Sequence, residues 1–355
     1  MERKLASIQR VLSVVPIETK DGVPADNIQE ITVLGWKLVA KKGQFKVGDL
    51  CVYFELDSTL DPNLEWVQHN ALFLTKSNFR IKTMKLNNMR VLDTDGDLVP
   101  VISQGLALPL DILENLCDNS VLEEGQDVTQ ILGVTKYEAP IKFFAGDMAG
   151  SFPAFIPKTD ETRIQSVPDV LKELSNKPYY ITLKVDGSSL TAWWDSENGL
   201  RVASRNFERK NDGNVYWQAA LRYKLDEVLK DKPNIAIQGE VVGKSIQGNL
   251  LGIEDIDLYV FNIFNIETGQ YFDMYEMVEF CSNNNLQMVE ILEVGVNFSY
   301  TLPELEEYCK GNYDFTTNPR EGIVVRSTKN MYSKWLLGRL SFKCINVDYL
   351  LMKGE

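Results

Sequence analysis

Apolar positions in the first part of the chain come in short runs broken by turn residues: 6–16, 30–34, 37–40 and, after Val47-Gly48-Asp49, 50–56. Runs of that length and spacing predict the strands of a small β-barrel. Two more runs, 79–86 and 98–101, precede a patch at 108–116 with helical spacing, and 121–132 reads as an irregular closing segment.

The pattern then changes. The stretch 145–157 carries Gly146, Gly150, Pro153 and Pro157 among small residues, and it is the best candidate for a linker. Beyond it, 179–184 and 189–194 alternate around Val185-Asp186-Gly187 as two strands joined by a tight turn. Helical spacing appears at 215–230, at 274–282 behind Asp273 with Glu276 placed for a capping box, and at 302–310 behind Thr301. Strand patterns separate them at 235–242, 258–266, 288–294, 322–326 and 340–345. The reading is an α+β chain with a domain at 1–145, a linker at 146–157 and a second domain at 158–355.

Composition adds boundaries. With 44% apolar and 25% charged residues in 355, the chain has enough core for two globular domains. The charged start, and the breaks at Gln9, Arg10 and Pro16, do not fit a secretory signal, and no run is long enough to span a membrane. Five scattered cysteines without a CxxC pair fit a reducing intracellular compartment, cytoplasm or nucleus. His69 is the only histidine, so any triad or multi-histidine metal site would have to use it, and beside Asn70 it reads as a surface or turn residue. The net charge of -13 argues against a polyanionic partner until its distribution is considered. Between Trp66 and Leu92 there is no acidic residue, yet Lys76, Arg80, Lys82, Lys85 and Arg90 all fall there. Such a local surface can hold phosphates on an acidic protein.

The candidate chemistry lies in the second domain. Lys184-Val185-Asp186-Gly187 ends a strand at a turn that can expose the lysine. It is followed in order by Ser204-Arg205-Asn206, by Gly239-Glu240, by the aromatic strand Tyr259-Val260-Phe261, by Glu321-Gly322 opening a strand, and by Ser341-Phe342-Lys343. A lysine attacking the α-phosphate of a nucleotide must be neutral, which at pH 7 costs about 4.6 kcal/mol from a pKa near 10.4. A divalent cation held through waters by carboxylates such as Glu240 and Glu321 would lower that cost. Arg205 and Lys343 could offset phosphoryl charge, and an aromatic face such as Phe261 or Tyr259 could stack on a base.

Together these motifs resemble the covalent nucleotidyltransferase superfamily of ligases and mRNA capping enzymes. The segment from Lys158 to Gln165, with Arg163, and the N-terminal stretches Gly35-Trp36-Lys37, Lys46-Val47-Gly48-Asp49-Leu50, Phe79-Arg80-Ile81-Lys82-Thr83, Ser103-Gln104-Gly105-Leu106 and Leu132–Tyr137 narrow the likeness. They are similar to ATP-dependent RNA ligases that carry an OB-fold domain before the nucleotidyltransferase domain. The resemblance implies an N-terminal OB-like β-barrel followed by an adenylyltransferase domain, ATP-grasp-like and of the ligase and capping type, with antiparallel sheets and flanking helices. It implies a monomeric enzyme using ATP with Mg2+ or Mn2+ to join 3′-hydroxyl and 5′-phosphate RNA ends, as in RNA repair of nicked duplexes, with no membrane partner. Lys184 would be the nucleophile that carries AMP. Asp186 and Gly187 would shape its turn beside Leu183, and Arg163 and Arg205 would contact phosphate or sugar. Glu240 would contact ribose or a metal water, with Glu321 and Asp186 also holding metal waters. Phe261 would stack on adenine and Lys343 would contact the α-phosphate. Lys76, Arg80, Lys82 and Lys85 would engage the nucleic acid.

One departure stands out: the last motif of the superfamily usually has two lysines separated by one residue, and here Lys343 is flanked at that spacing by Ser341 and Ile345. Either Lys343 serves alone, or Arg339 or Lys334 supplies the missing charge. Competing readings are a DNA ligase, a GTP-using capping enzyme, or a catalytically silent OB-fold protein that binds nucleic acid. Capping enzymes and most DNA ligases carry the OB domain after the catalytic one, and the short tail beyond Lys343 is not expected to hold it.

Overall fold

The computed structural model describes residues 3–93, 96–114, 116, 122–138 and 147–355. The chain divides into two compact units, one of Met1–Ile141 with Gln165–Pro168 and Leu350–Glu355, the other of Lys142–Ile164 with Asp169–Tyr349.

In the first unit the strand Ala6–Thr19 organises a seven-stranded sheet. It pairs antiparallel with Pro24–Val33, with Leu50–Phe54 and, at its far end, with Thr83–Leu92. Register shifts between Val11 and Ser13 and between Pro16 and Glu18 let one strand serve three partners, since each bulge bends the strand and increases its twist. Trp36–Lys41 and Leu98–Gln104 continue the sheet, and Ile8, Val11, Ile31, Leu38, Val52 and Phe54 are fully buried within it. This is the expected OB-like architecture, with local differences. The run at 79–86 is not one strand: a 3-10 turn, Leu72–Ser77, leads through Asn78 and Phe79, both left-handed, into Thr83–Leu92. The helical patch at 108–116 forms only the 3-10 turn Leu110–Leu113, with Asn115 outside the described residues, as are Cys117 and Val121.

Among the described residues the second unit holds two large sheets and the small pair Tyr332–Ser333 with Gly338–Arg339. Seven strands run in the order Met148–Ser151, Phe207–Arg209, Gly199–Ala203, Ser188–Asp195, Ile235–Val242, Asp257–Asn265 and Gln270–Tyr271. Five run in the order Thr162–Arg163, Ser341–Ile345, Gly322–Ser327, Tyr179–Lys184 and Ile291–Gly295. All pairs are antiparallel except Thr162–Arg163 against Ser341–Ile345. Leu190, Val202, Trp217, Leu229, Ile237, Val260 and Met277 form the core between the larger sheet and the helices Val215–Arg222, Leu225–Lys230 and Met274–Asn283.

Three sequence readings are corrected here. The segment 146–157 contains the strand Met148–Ser151, paired with Phe207–Arg209; its first residue, Gly146, lies outside the described residues. The helix at 215–230 is two helices, broken where Lys224 takes a left-handed conformation. Most consequential, the strands flanking Val185-Asp186-Gly187 do not form a hairpin. Tyr179–Lys184 belongs to the five-stranded sheet and Ser188–Asp195 to the seven-stranded one, so the turn carries the chain from one sheet to the other. The expected capping box of Asp273 with Glu276 is present, and the Thr301 cap is also a box, closed by Glu304. Among the described residues no helix is long and apolar enough to cross a membrane.

Candidate active site

Lys184 is the last residue of its strand, opposite Gly322 at the end of the ladder with Gly322–Ser327. Beyond it the turn needs glycine for a steric reason: a Cβ on Gly187 would lie 2.4 Å from the carbonyl oxygen of Val241 and 2.8 Å from Cγ of Glu240. That close approach sets the lysine strand against the strand carrying Glu240. Gly322 has φ +150, and its Cβ would meet the carbonyl oxygen of Cys344 at 2.1 Å, so Glu321 can precede a strand packed tightly on its neighbour.

The result is a cleft of about 450 Å³ lined by both sheets. Its walls include Lys184, Leu183 and Thr182 from one strand, Glu240, Phe261, and Glu161 with Arg326. Lys184 Nζ lies 2.7 Å from Glu321 Oε1, with the two side chains 23% and 15% exposed. Burial disfavours the ammonium, but the carboxylates of Glu321, Glu240 and Asp186 outweigh it and hold the Lys184 pKa above its ordinary value. Thus the free site keeps the lysine charged. Glu240 is pushed up to about 8, by burial first and then by Glu321 and Asp186, against the pull of Lys184. Lys343 is pulled down to about 7 by burial, then by the charges of Lys184 and Arg163. Arg163 and Lys343 face each other as partners in the one parallel pairing.

Phe261 sits at a β-bulge, without a partner between the pairs Gln238–Asn262 and Gly239–Val260. The bulge aims its ring into the cleft. Tyr259, opposite Glu240, packs beside Phe261 against Val185, Val242 and Val289 and is not part of the lining. Arg205 lies in the tight turn after Gly199–Ala203 and pairs with Asp160 at an exposed position.

The place of the missing lysine is filled by a network that sequence reasoning missed. Ser341 Oγ donates to Glu161 Oε1 at 2.7 Å, and Arg326 donates to the same oxygen at 3.0 Å, to Ser341 Oγ at 3.0 Å and to the carbonyl of Phe261 at 3.3 Å. Burial alone would raise the Glu161 pKa; Arg326, Ser341 and Arg339 reverse that and hold it below the ordinary range. Arg339 instead bonds Asn262 at 2.8 Å and lies over the Tyr271 ring, and Lys334 lies over Trp335, so neither lines the cleft. Arg326 was visible in the motif Glu321–Arg326, two positions past cleft-lining Val324 on the same strand face. Tyr313, buried, was also missed: its hydroxyl accepts from the amides of Asp186 and Glu321 at 2.9 and 3.1 Å.

In the first unit, Lys76 and Lys85 are exposed and Lys82 is half-buried. Arg80 differs: it pairs with Asp57 at 2.6 Å and covers the Tyr137 ring at 3.8 Å, so its charge is neutralised within the fold. His69 ends the short helix Glu65–Asn70, its Nδ1 2.9 Å from the carbonyl of Glu65.

A family model described as RNA ligase matches residues 177–345, and an OB-fold domain model matches residues 5–110. Among curated proteins no sequence matches. Several solved structures do. An apo variant of a Naegleria gruberi RNA ligase is 32% identical with a TM-score of 0.83, covering 100% of both chains. A Naegleria gruberi RNA ligase variant with AMP and Mn is 33% identical with a TM-score of 0.83, covering 99% of this chain and 100% of that one. A further variant with ATP and Mn gives the same identity, TM-score and coverage. At that identity over the full length, the chain belongs to the RNA ligase family.

Proposed function

We infer that this chain is an ATP-dependent RNA ligase joining 3′-hydroxyl to 5′-phosphate ends through a lysyl-AMP on Lys184 and an RNA-adenylate. The observation that carries the reading is the 2.7 Å pair of Lys184 and Glu321 at a cleft walled by Glu240 and Phe261. The similar Naegleria gruberi enzymes hold ATP or AMP with Mn, which supports the nucleotide and the metal.

The donor set fits a hard divalent cation, Mg2+ or Mn2+, because Asp186, Glu240 and Glu321 offer only carboxylate oxygens. Among the described residues no three or more His, Cys, Asp or Glu side chains form a cage for direct ligation, so the ion would be held through waters. Bound there, it would supply positive charge that opposes the lysine proton and neutralises phosphate. On this reading the chain's own residues divide the work. Lys184, once neutral, attacks the α-phosphorus; an N–P bond forms as the bond to pyrophosphate breaks. Phe261 stacks on adenine over Leu183, with Asp186 and Gly187 fixing the turn. Lys343 and Arg163 face the α-phosphate, and Arg205 reaches phosphate or sugar after leaving Asp160. An RNA 5′-phosphate oxygen then attacks the AMP phosphorus and frees Lys184. Finally the 3′-hydroxyl attacks the activated end and expels AMP.

The preferred substrate on this reading is a nicked duplex, sealed by a monomer whose N-terminal domain, 1–145, grips flanking RNA through Lys76, Lys82 and Lys85, with Arg80 holding that surface in place. A reducing intracellular compartment is supported by the buried thiols of Cys51, Cys281, Cys309 and Cys344, none of them in a disulfide. Incubation with ATP and magnesium should add the mass of AMP at Lys184; no adduct, or one elsewhere, overturns the reading. A panel of 5′-phosphorylated strands, single, nicked on RNA and nicked on DNA, then ranks substrates, and equal sealing of single and nicked strands would remove the duplex preference.

A further inference from the structure

The ladder between Tyr179–Lys184 and Gly322–Ser327 stops at the pair Lys184 and Gly322, just where the two chains must part to expose a nucleophile and a carboxylate. Backbone groups on both sides of that fork, the carbonyl of Lys184 and the amides of Asp186 and Glu321, converge on one point. One side-chain atom meets them all. The Tyr313 hydroxyl donates to the Lys184 carbonyl at 3.2 Å and accepts from the Asp186 amide at 2.9 Å and the Glu321 amide at 3.1 Å. A phenol has one proton to give, and these two amides occupy its acceptor positions, so its bonding capacity is used in full. Tyr313 is itself held: its amide bonds the carbonyl of Asn318 at 3.1 Å, and its side chain is 4% exposed.

We propose that Tyr313 is a positioning residue for lysine adenylylation, its hydroxyl fixing the main chain on both sides of the fork so that the Lys184 amine is held in place beside Glu321. The inference rests on the reading of Lys184 as the nucleophile. Tyr313 is not part of the cleft lining; it acts through the residues it ties. Displacements of the order of an ångström at such a place cost about a hundredfold in rate when reacting groups depend on near-attack geometry. The hydroxyl therefore governs the rate of N–P bond formation, whereas ATP affinity is set mainly by walls that it does not bond, Phe261 above all.

The test is Tyr313→Phe, which keeps the ring and removes only the oxygen. Single-turnover transfer of AMP to Lys184 should fall about tenfold or more at saturating ATP, while the KM for ATP stays within about threefold and the thermal transition stays cooperative. A variant as fast as wild type overturns the proposal. So does a variant in which rate and ATP affinity fall together with a broadened transition, because the hydroxyl would then serve only the fold. Wild-type protein that forms no adduct at Lys184 removes the underlying function reading as well, and that result is read before any variant is compared.

Discussion

Two ion pairs reach the same cleft, Glu161 with Arg326 in its wall and Lys184 in its wall with Glu321 behind, and they are built on opposite principles. Around Glu161, every charge has its answer: Arg326 and Ser341 both donate to one carboxylate oxygen, and the guanidinium also reaches the carbonyl of Phe261. Around Lys184 like charges are crowded instead: the carboxylates of Glu321, Glu240 and Asp186 gather about one ammonium, with Lys343 and Arg163 beside it. The consequence is visible in protonation. Glu161 is held ionised below its ordinary range, whereas Glu240 is forced up to about 8. A satisfied network makes a fixed wall; an unbalanced one is waiting for further positive charge, which is what a divalent cation brings to a ligase site.

The contrast is broken most severely by swapping which pair is damaged. Lys184→Ala should abolish the AMP adduct, a loss beyond a thousandfold by mass spectrometry, yet leave the cooperative unfolding transition in place. Arg326→Ala should do the reverse in kind: it strands a buried carboxylate and should cost about 3–5 kcal/mol in urea unfolding. Replacing both partners, Arg326→Met with Glu161→Leu, should recover much of that loss, because a buried pair exchanged for apolar volume is often nearly neutral. If Arg326→Ala unfolds like wild type, the satisfied-network description is wrong.

How much of this could be read from sequence differs from residue to residue. Lys184, Glu240 and Phe261 stand in strands and Glu321 just before one, each with a residue type that the proposed chemistry calls for, so a motif could point to them. The pairing of their strands did not. Alternation identifies a strand but not its partner, so the run after Gly187 looked like the return arm of a hairpin when it in fact enters another sheet. Gly187 looked like a turn former and is also a close-contact residue against Val241. Ser341 looked like a defect in the last motif, and its compensation by Arg326 depends on register across Gly322–Ser327 and Ser341–Ile345. Tyr313 gave no signal, because a loop tyrosine bonding a backbone amide 127 residues away has no local pattern. Arg80 misled for the same reason: its partner Asp57 is 23 residues upstream.

A milder way to sharpen the comparison uses acid. Glu161 has a folded pKa below its unfolded value near 4.3, so its contribution is fully present at neutral pH. As pH drops below about 4.3 and through the folded value, the native carboxylate must take up a proton and the contribution is lost. Unfolding free energy should therefore fall over that window in wild type. Glu161→Gln should start lower at pH 7 and show a shallower acid limb; parallel limbs would mean that other carboxylates dominate.

The smallest expected effect extends the contrast from charges to the backbone. Two residues past Tyr313, the turn from Tyr313 to Thr316 is closed by a bond from the Thr316 amide to the Tyr313 carbonyl at 3.2 Å, with Phe315 at φ 60. A left-handed phenylalanine costs roughly 1 kcal/mol or more, and this one recovers nothing by burial, since its side chain is 108% exposed. Phe315→Gly removes the strain but adds freedom to the unfolded chain, which offsets about 0.5–1 kcal/mol of the gain. The net should be a stabilisation of about 0.5 kcal/mol in urea unfolding. A loss of stability instead would mean that the ring packs in the folded protein, and would place the turn beside Tyr313 with the satisfied parts of the molecule.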